Sequence, residues 1–141
     1  MSTQIVVGYD DSEGARAALA AAIDLARRLD TGLILIFCTE PPSVHAGGAG
    51  AQRDVITSIG EEMLNHGIEQ ALAAGVTARG ELVDGRPVDG LLAAADEHDA
   101  AMIVVGHHGE GPLRGALIGA TANKLLHHSE RPVLVVPAPA D

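Results

Sequence analysis

Short apolar runs alternate with longer segments of helical periodicity along the chain. Three of the runs are nearly continuous stretches of Val, Ile and Leu, which is typical of strands that are covered on both faces. The pattern predicts five strands, at residues 4–9, 33–38, 77–83, 101–106 and 132–137.

The segments between these runs carry apolar residues at the spacing of one helix face, which predicts helices at 13–29, 53–73, 88–98 and 120–128. Ser12 can cap the first helix. In the second helix, Gly60 and Gly67 fall on one face. Because each glycine costs about 1 kcal/mol relative to Ala in a helix, we expect both to pack closely on the sheet.

The alternation of strands and helices implies right-handed crossovers and a parallel sheet with helices on both faces. Residues 39–52 are rich in Pro, Gly and Ala and predict a surface loop. No repeat or boundary interrupts the pattern, so we predict a single domain over residues 1–141. The chain has no Trp, one Tyr and one Phe, so its core must be built from Val, Ile, Leu and Ala.

Charge and composition exclude several classes of partner. The net charge of −10 argues against nucleic acid and against anionic membrane surfaces, which both require clustered Lys and Arg. No apolar run approaches the roughly 18 residues of a membrane span, and the N-terminus does not resemble a secretory signal. The single cysteine, Cys38, cannot form an internal disulfide. We therefore expect a cytoplasmic protein.

Candidate binding residues follow three of the predicted strands. In an open parallel sheet, ligands bind at the carboxyl ends of the strands, where the crossover direction reverses. Asp10 and Asp11 follow the first strand, Asp84 follows the third, and a glycine-rich segment follows the fourth. The topology alone therefore places these features at one edge.

The glycine-rich segment predicts a phosphate site. Gly106 and Gly109 lack side chains that would keep a ligand away from the backbone, and Gly119 stands where the last helix begins. The free N–H groups of Ala120, Thr121 and Ala122 would then face an anion at the positive end of the helix dipole. A flexible connector with a capping glycine is the alternative. Neither G-x-x-x-x-G-K-[ST] nor G-x-G-x-x-G after the first strand occurs in the sequence.

Three stretches together resemble the universal stress protein family. They are "IVVGYDDSEGARAAL", "VDGRP" and "IVVGHHGEGPLRGALIGATANKLLHHSERPVLVV", and the likeness runs over essentially the whole chain. The resemblance supports an α/β, Rossmann-like fold with a five-stranded parallel sheet of order 3-2-1-4-5. It also implies an ATP or AMP ligand, which Mg²⁺ can accompany.

The resemblance assigns roles to individual residues. Gly106, Gly109 and Gly119 match the glycine motif of the family's ATP-binding branch, but Ala120 stands where that motif has Ser or Thr. This departure weakens the expected phosphate site by about 1 kcal/mol, which Thr121 can partly offset.

Other residues correspond to the family's nucleoside contacts. Asp10 matches the acidic residue that contacts the nucleoside, and Cys38 and Val83 match positions near adenine. Each also has a purely structural alternative: a helix cap or turn for Asp10, and sheet core for Cys38 and Val83. Arg114 could reach a phosphate or simply remain in solvent.

The histidines and the last strand complete the predictions. The histidine pairs at 107–108 and 127–128 have no Cys, Asp or Glu at a metal-ligand spacing, so we expect no metal site. The family pairs its last strand with that of a second subunit, which predicts a homodimer through residues 132–137. Protection of a short edge strand by Pro132 and Pro137 is the alternative.

These features favour a nucleotide-binding stress-response protein that acts as a dimeric regulatory or interaction module, with at most slow ATP hydrolysis. A family member that binds no nucleotide and acts only through protein contacts is the alternative. A phospho-receiver domain would need Ser or Thr and Lys where Gly106 and Pro137 stand. An adenylating enzyme would need a glycine pair that "GYDDSEG" lacks.

Overall fold

The computed structural model describes residues 3–39, 49–107 and 120–137. Strands and helices alternate through these residues. The elements are β1 (Ile5–Gly8), α1 (Glu13–Leu29), β2 (Leu33–Thr39), α2 (Ala49–Ala73), β3 (Ala78–Asp84), α3 (Pro87–Glu97), β4 (Met102–Gly106), α4 (Ala120–His128) and β5 (Val133–Val136).

The strands form one sheet of order β3-β2-β1-β4-β5, in which every neighbouring pair is parallel. The predicted α/β fold and its strand order are confirmed. Val7 of β1, for example, lies between Leu35 of β2 and Val104 of β4. The chain moves from β1 outward to β3, then crosses back and moves from β4 to β5. The crossover direction therefore reverses between β1 and β4, where such sheets bind ligands.

Two apolar cores, one on each face of the sheet, confirm that helices cover both sides. Val7 belongs to the core formed with α1 and α2, whereas its neighbour Val6 belongs to the core formed with α3 and α4. Successive strand residues point to opposite faces, so a sheet buried on both sides needs continuous apolar strands. This requirement explains the uninterrupted Val, Ile and Leu runs.

The close approach of α2 to the sheet at Gly60 and Gly67 is also confirmed. A Cβ at Gly60 would lie 2.7 Å from side-chain carbons of both Phe37 and Leu82. A Cβ at Gly67 would lie 2.6 Å from Leu35 Cδ2. Both glycines are therefore required by packing, despite their low helix propensity.

The helix α2 is longer than its sequence pattern indicated. Residues 49–52 are helical and Thr39 ends β2, so the prediction of a loop over 39–52 was wrong at both ends. No proline occurs within residues 49–73, so the helix can propagate toward its N-terminus once the amphipathic part has formed. Among the described residues, no helix combines the length and the apolar character that crossing a membrane requires.

Among the described strands, β5 lies at one edge of the sheet and has β4 as its one neighbour. Its residue Leu134 is 37% exposed, while Val133 and Val135 contact the core beneath α3 and α4. The predicted pairing of residues 132–137 with a second copy stays a prediction.

Candidate functional site

A cavity of about 260 Å³ opens at the carboxyl ends of the central strands. This volume is just below the roughly 300–1,000 Å³ of small-molecule sites. The described lining comes from the ends of β1, β2 and β4 and from the first turns of α1, α3 and α4. It consists of Gly8, Tyr9, Asp10, Ser12, Gly14, Ala15, Ile36, Cys38, Pro87, Leu91, Val105, Gly106, His107, Ala120, Thr121 and Ala122.

One wall of the cavity is apolar and includes Ile36, Cys38 and Leu91. The Cys38 Sγ lies 3.8 Å from the carbonyl oxygen of Pro87 and can donate a weak hydrogen bond to it. Burial raises the pKa of the Cys38 thiol to about 11, because the charged thiolate is poorly solvated there. At neutral pH the thiol is therefore uncharged and unreactive, and it serves as part of the apolar wall.

The loop between β1 and α1 forms the polar rim. The Asp10 Oδ1 accepts a hydrogen bond from the Ser12 N–H at 3.1 Å, which closes an Asx turn. Asp10 thus has the turn role that was one of its two interpretations. Its carboxylate is still exposed at the rim and can accept further hydrogen bonds. The Ser12 Oγ accepts from the Ala15 N–H at 3.2 Å, so the predicted helix cap is confirmed.

This loop is anchored to the core by Asp11. The Tyr9 hydroxyl donates to Asp11 Oδ1 at 2.9 Å, and Arg16 Nε donates to the same oxygen at 3.1 Å. Burial alone would raise the pKa of Asp11, but the hydrogen bonds from Tyr9 and Arg16 outweigh it and lower that pKa. The backbone of Asp11 has a φ of 59°, a conformation that non-glycine residues adopt at a cost. Two side-chain donors therefore stabilise a strained turn.

A glycine is required at position 106, at the end of β4, because the first turn of α1 packs against it. A Cβ there would lie 2.7 Å from both the carbonyl carbon and the oxygen of Gly14. The absence of a side chain at Gly106 lets the end of β4 approach the backbone at the start of α1, next to the cavity. The structural reason for Gly106 is thus helix–strand packing, in addition to any space it leaves for a ligand.

The first turn of α4 forms another part of the cavity wall. Ala120, Thr121 and Ala122 all line it, and their contact with a phosphate stays a prediction. Because α4 begins at Ala120, their backbone N–H groups are among the first four of the helix, which have no intrahelical acceptor. Such groups, with the helix dipole, favour an anion.

Some predicted residues lie elsewhere. Val83 is not among the described lining residues and packs in the core beneath α3, so its contact with adenine stays a prediction. Asp84 Oδ1 accepts a hydrogen bond from Thr39 Oγ1 at 2.8 Å and does not contribute to the described lining. Gly109, Arg114 and Gly119 fall outside the described residues.

The sequence analysis selected neither Pro87 nor Leu91 as a site residue, although both line the cavity. Both lie on α3, whose first turn follows β3 in the chain. The signal available in the sequence was topological, since the first turns of helices that follow parallel strands surround the same edge of the sheet. Which of their residues face the cavity depends on how α3 packs.

A separate polar cluster lies between β3 and the end of α3. Arg79 Nη2 is 3.0 Å from His98 Nδ1, and His98 Nε2 is 2.9 Å from Glu81 Oε2. The three ligand atoms offered by Glu81, Glu97 and His98 lie within 4.8 Å of one another. Arginine can only donate, so we infer that Nδ1 accepts and that Nε2 carries the proton donated to Glu81. In this arrangement neither ring nitrogen offers a metal ligand.

The comparisons with known proteins agree with this architecture. Residues 1–137 match the model of the universal stress protein family. The chain belongs to that family. A universal stress protein of Mycolicibacterium smegmatis is 33% identical over 135 residues, which are 94% of this chain and 95% of that protein.

Two solved structures of the family were determined in complex with a nucleotide. A universal stress protein in complex with cAMP is 29% identical, has a TM-score of 0.78 and is matched over 97% of this chain and 98% of its own. The Archaeoglobus fulgidus protein in complex with dAMP is 22% identical, with a TM-score of 0.74 and coverage of 96% and 98%. The second likeness, at this identity, establishes the fold alone.

Proposed function

We propose that this protein binds an adenine nucleotide, ATP or AMP, in the cavity between Asp10 and the start of α4, and that it acts as a dimeric regulatory module in the stress response. The observation that carries the proposal is the pairing of an apolar wall with the open N-terminus of a helix in one cavity at the switch point of the sheet. The relative that is 29% identical and was solved with cAMP supports the same ligand class.

Each part of a nucleotide has a matching surface in this proposal. The base contacts the uncharged wall that includes Ile36, Cys38 and Leu91. The ribose hydroxyls donate to the exposed Asp10 carboxylate. The first phosphate accepts hydrogen bonds from the leading N–H groups of α4, which offsets the repulsion expected from a chain of net charge −10.

A second candidate function is a protein-interaction module that binds no nucleotide. Ala120 favours it, because this position lacks the hydroxyl of the family's ATP-binding motif. The two functions differ in whether purified protein, freed of any co-purified ligand, binds AMP or ATP. Micromolar binding supports the first, and no binding up to millimolar nucleotide supports the second.

Variants at Ala120 test the site, because this residue is exposed at the first position of α4. The Ala120→Glu substitution places a negative charge where helices favour one, so the free energy of unfolding should stay equal or increase. The same charge should repel a phosphate and weaken AMP binding at least tenfold. Ala120→Gln is the matched uncharged control and should bind within about threefold of the original protein. Equal weakening by Glu and Gln would contradict the proposed phosphate position.

We also propose that the exposed edge β5 pairs with β5 of a second copy. Sedimentation velocity should give a dimer for the original protein. Leu134→Lys adds a charge to the exposed position of β5 and should shift the equilibrium toward monomer. An unchanged dimer in this variant would place the interface elsewhere.

A further inference from the structure

A second cavity, of about 380 Å³, lies between the start of α3 and the outer side of α4. Its described lining is Arg86, Pro87, Val88, Asp89, Ala120, Thr121, Lys124 and His128. It shares Pro87, Ala120 and Thr121 with the first cavity. The two cavities therefore meet at the first turn of α4, where we have placed the first phosphate.

The second cavity concentrates positive charge in an acidic protein. Lys124 is the single lysine of a chain whose net charge is −10. It lies one turn after Ala120 on the same side of α4, and His128 lies one turn further. Within the described part of the chain, Lys124 has no ion-pair partner, whereas Arg86 pairs with Asp89 at 3.2 Å. Lys124, which has no ion-pair partner among the described residues, therefore lines a cavity whose arginine and aspartate neutralise each other.

Thr121 connects the two cavities. Thr121 carries a hydroxyl one residue after Ala120, which has none, and it lines both cavities. Among the described residues, no hydrogen bond occupies this hydroxyl. A hydroxyl at 121 rather than at 120 is displaced around the helix by about 100°. In the same projection Lys124 lies about 40° from position 120 and about 60° from position 121, so its angular position falls between the two.

We propose that the second cavity is the subsite for the part of the nucleotide beyond its first phosphate, and that Lys124 makes the site prefer ATP and ADP over AMP. This assignment rests on the proposed function. The polyphosphate tail passes the Thr121 hydroxyl and ends against the Lys124 ammonium group. Arg86, released from Asp89, can contribute a second contact.

The first test compares AMP, ADP and ATP by calorimetry in the presence of EDTA, using protein freed of bound ligand. The original protein should bind ATP at least tenfold more tightly than AMP. Lys124→Gln should weaken ATP about tenfold, the size of one hydrogen bond to a charged group, and leave AMP within twofold. Arg27→Gln removes the same charge at the far end of α1 and should alter neither affinity by more than twofold.

The second test uses the single lysine directly. Lys124 is acetylated with an amine-reactive reagent, and the rate is followed by peptide mass spectrometry. Saturating ATP should slow this acetylation at least fivefold, whereas saturating AMP should not slow it. The N-terminal amine, on a different peptide, gives the internal reference. Equal rates in both nucleotides would overturn the subsite.

The outcomes separate this inference from the proposed function. Binding of AMP and ATP with equal affinity, or loss of ATP affinity in Arg27→Gln equal to that in Lys124→Gln, overturns the subsite and leaves the nucleotide site intact. No binding of either nucleotide overturns both.

Discussion

The titration of Tyr9 provides a sensitive test of how the β1–α1 loop is held. Tyr9 is 2% exposed. Burial, the hydrogen bond to Asp11 and the negative charge of Asp11 raise its pKa from 10.0 to about 12. The folded state thus holds the phenolic proton more tightly than the unfolded state. The contribution of this difference to the unfolding free energy is fully present below pH 10 and is lost as the pH rises from 10 toward 12.

The size of the effect follows from the difference between the two pKa values. At about 1.36 kcal/mol per pKa unit, a rise from 10.0 to about 12 corresponds to about 3 kcal/mol of unfolding free energy. This is a large share of the 5–15 kcal/mol that is typical of a domain. The decrease of the unfolding free energy between pH 10 and pH 12 should be absent in Tyr9→Phe. Because Cys38 also titrates late, at about 11, the comparison belongs in a Cys38→Ser background.

The assay is the ultraviolet absorbance of tyrosinate, which reports Tyr9 alone because the chain has one Tyr and no Trp. The native protein should titrate near pH 12 and the denatured protein near pH 10. Asp11→Asn keeps an acceptor but removes the charge, so it should lower the native midpoint. A native midpoint near 10, with circular dichroism unchanged, would refute the anchoring of the loop by Tyr9 and Asp11.

Three further predictions concern single substitutions, the first of them with a matched control. Gly106→Ala should lower the free energy of unfolding in urea by about 1–3 kcal/mol, because the added Cβ would lie 2.7 Å from the Gly14 backbone. The control Gly8→Ala should lower it less, because its Cβ would meet only side-chain carbons, at 3.3 Å. Equal losses in the two variants would contradict the packing argument. Ser12→Ala should cost about 1 kcal/mol of stability through the lost cap, and no change would argue against the cap seen at Ala15. Ala120→Ser adds a hydroxyl that can contribute about 1 kcal/mol of binding energy, so ATP should bind about fivefold more tightly in fluorescence titrations. An unchanged affinity would show that position 120 does not contact the phosphate.

Much of the fold was predictable because its central strands are buried on both faces. Residues 33–36 of β2 are all buried, and such a strand leaves a continuous apolar run in the sequence that no surface strand would have. The start of α2 was not predictable in the same way. Residues 49–52 carry no apolar periodicity, and their helical state depends on propagation from the amphipathic part that follows.

The candidate site was predictable only in part. Asp10 and Ala120 could be placed at the cavity because strand ends and helix starts meet at the switch point whatever the side chains are. The role of Gly106 against Gly14 could not be foreseen, since it depends on how closely α1 approaches β4. Asp84 ends β3 at this edge as predicted, but its carboxylate accepts a hydrogen bond from Thr39 and it is not among the described lining residues.

The most direct test of a nucleotide site is an amide chemical-shift titration of ¹⁵N-labelled protein with AMP. We predict saturable changes in the micromolar range that are concentrated at residues 10–15, 106–107 and 120–122, with residues 30–32 and 99–101 at the opposite edge of the sheet unaffected. Changes confined to that opposite edge, or no changes up to millimolar AMP, would contradict the account.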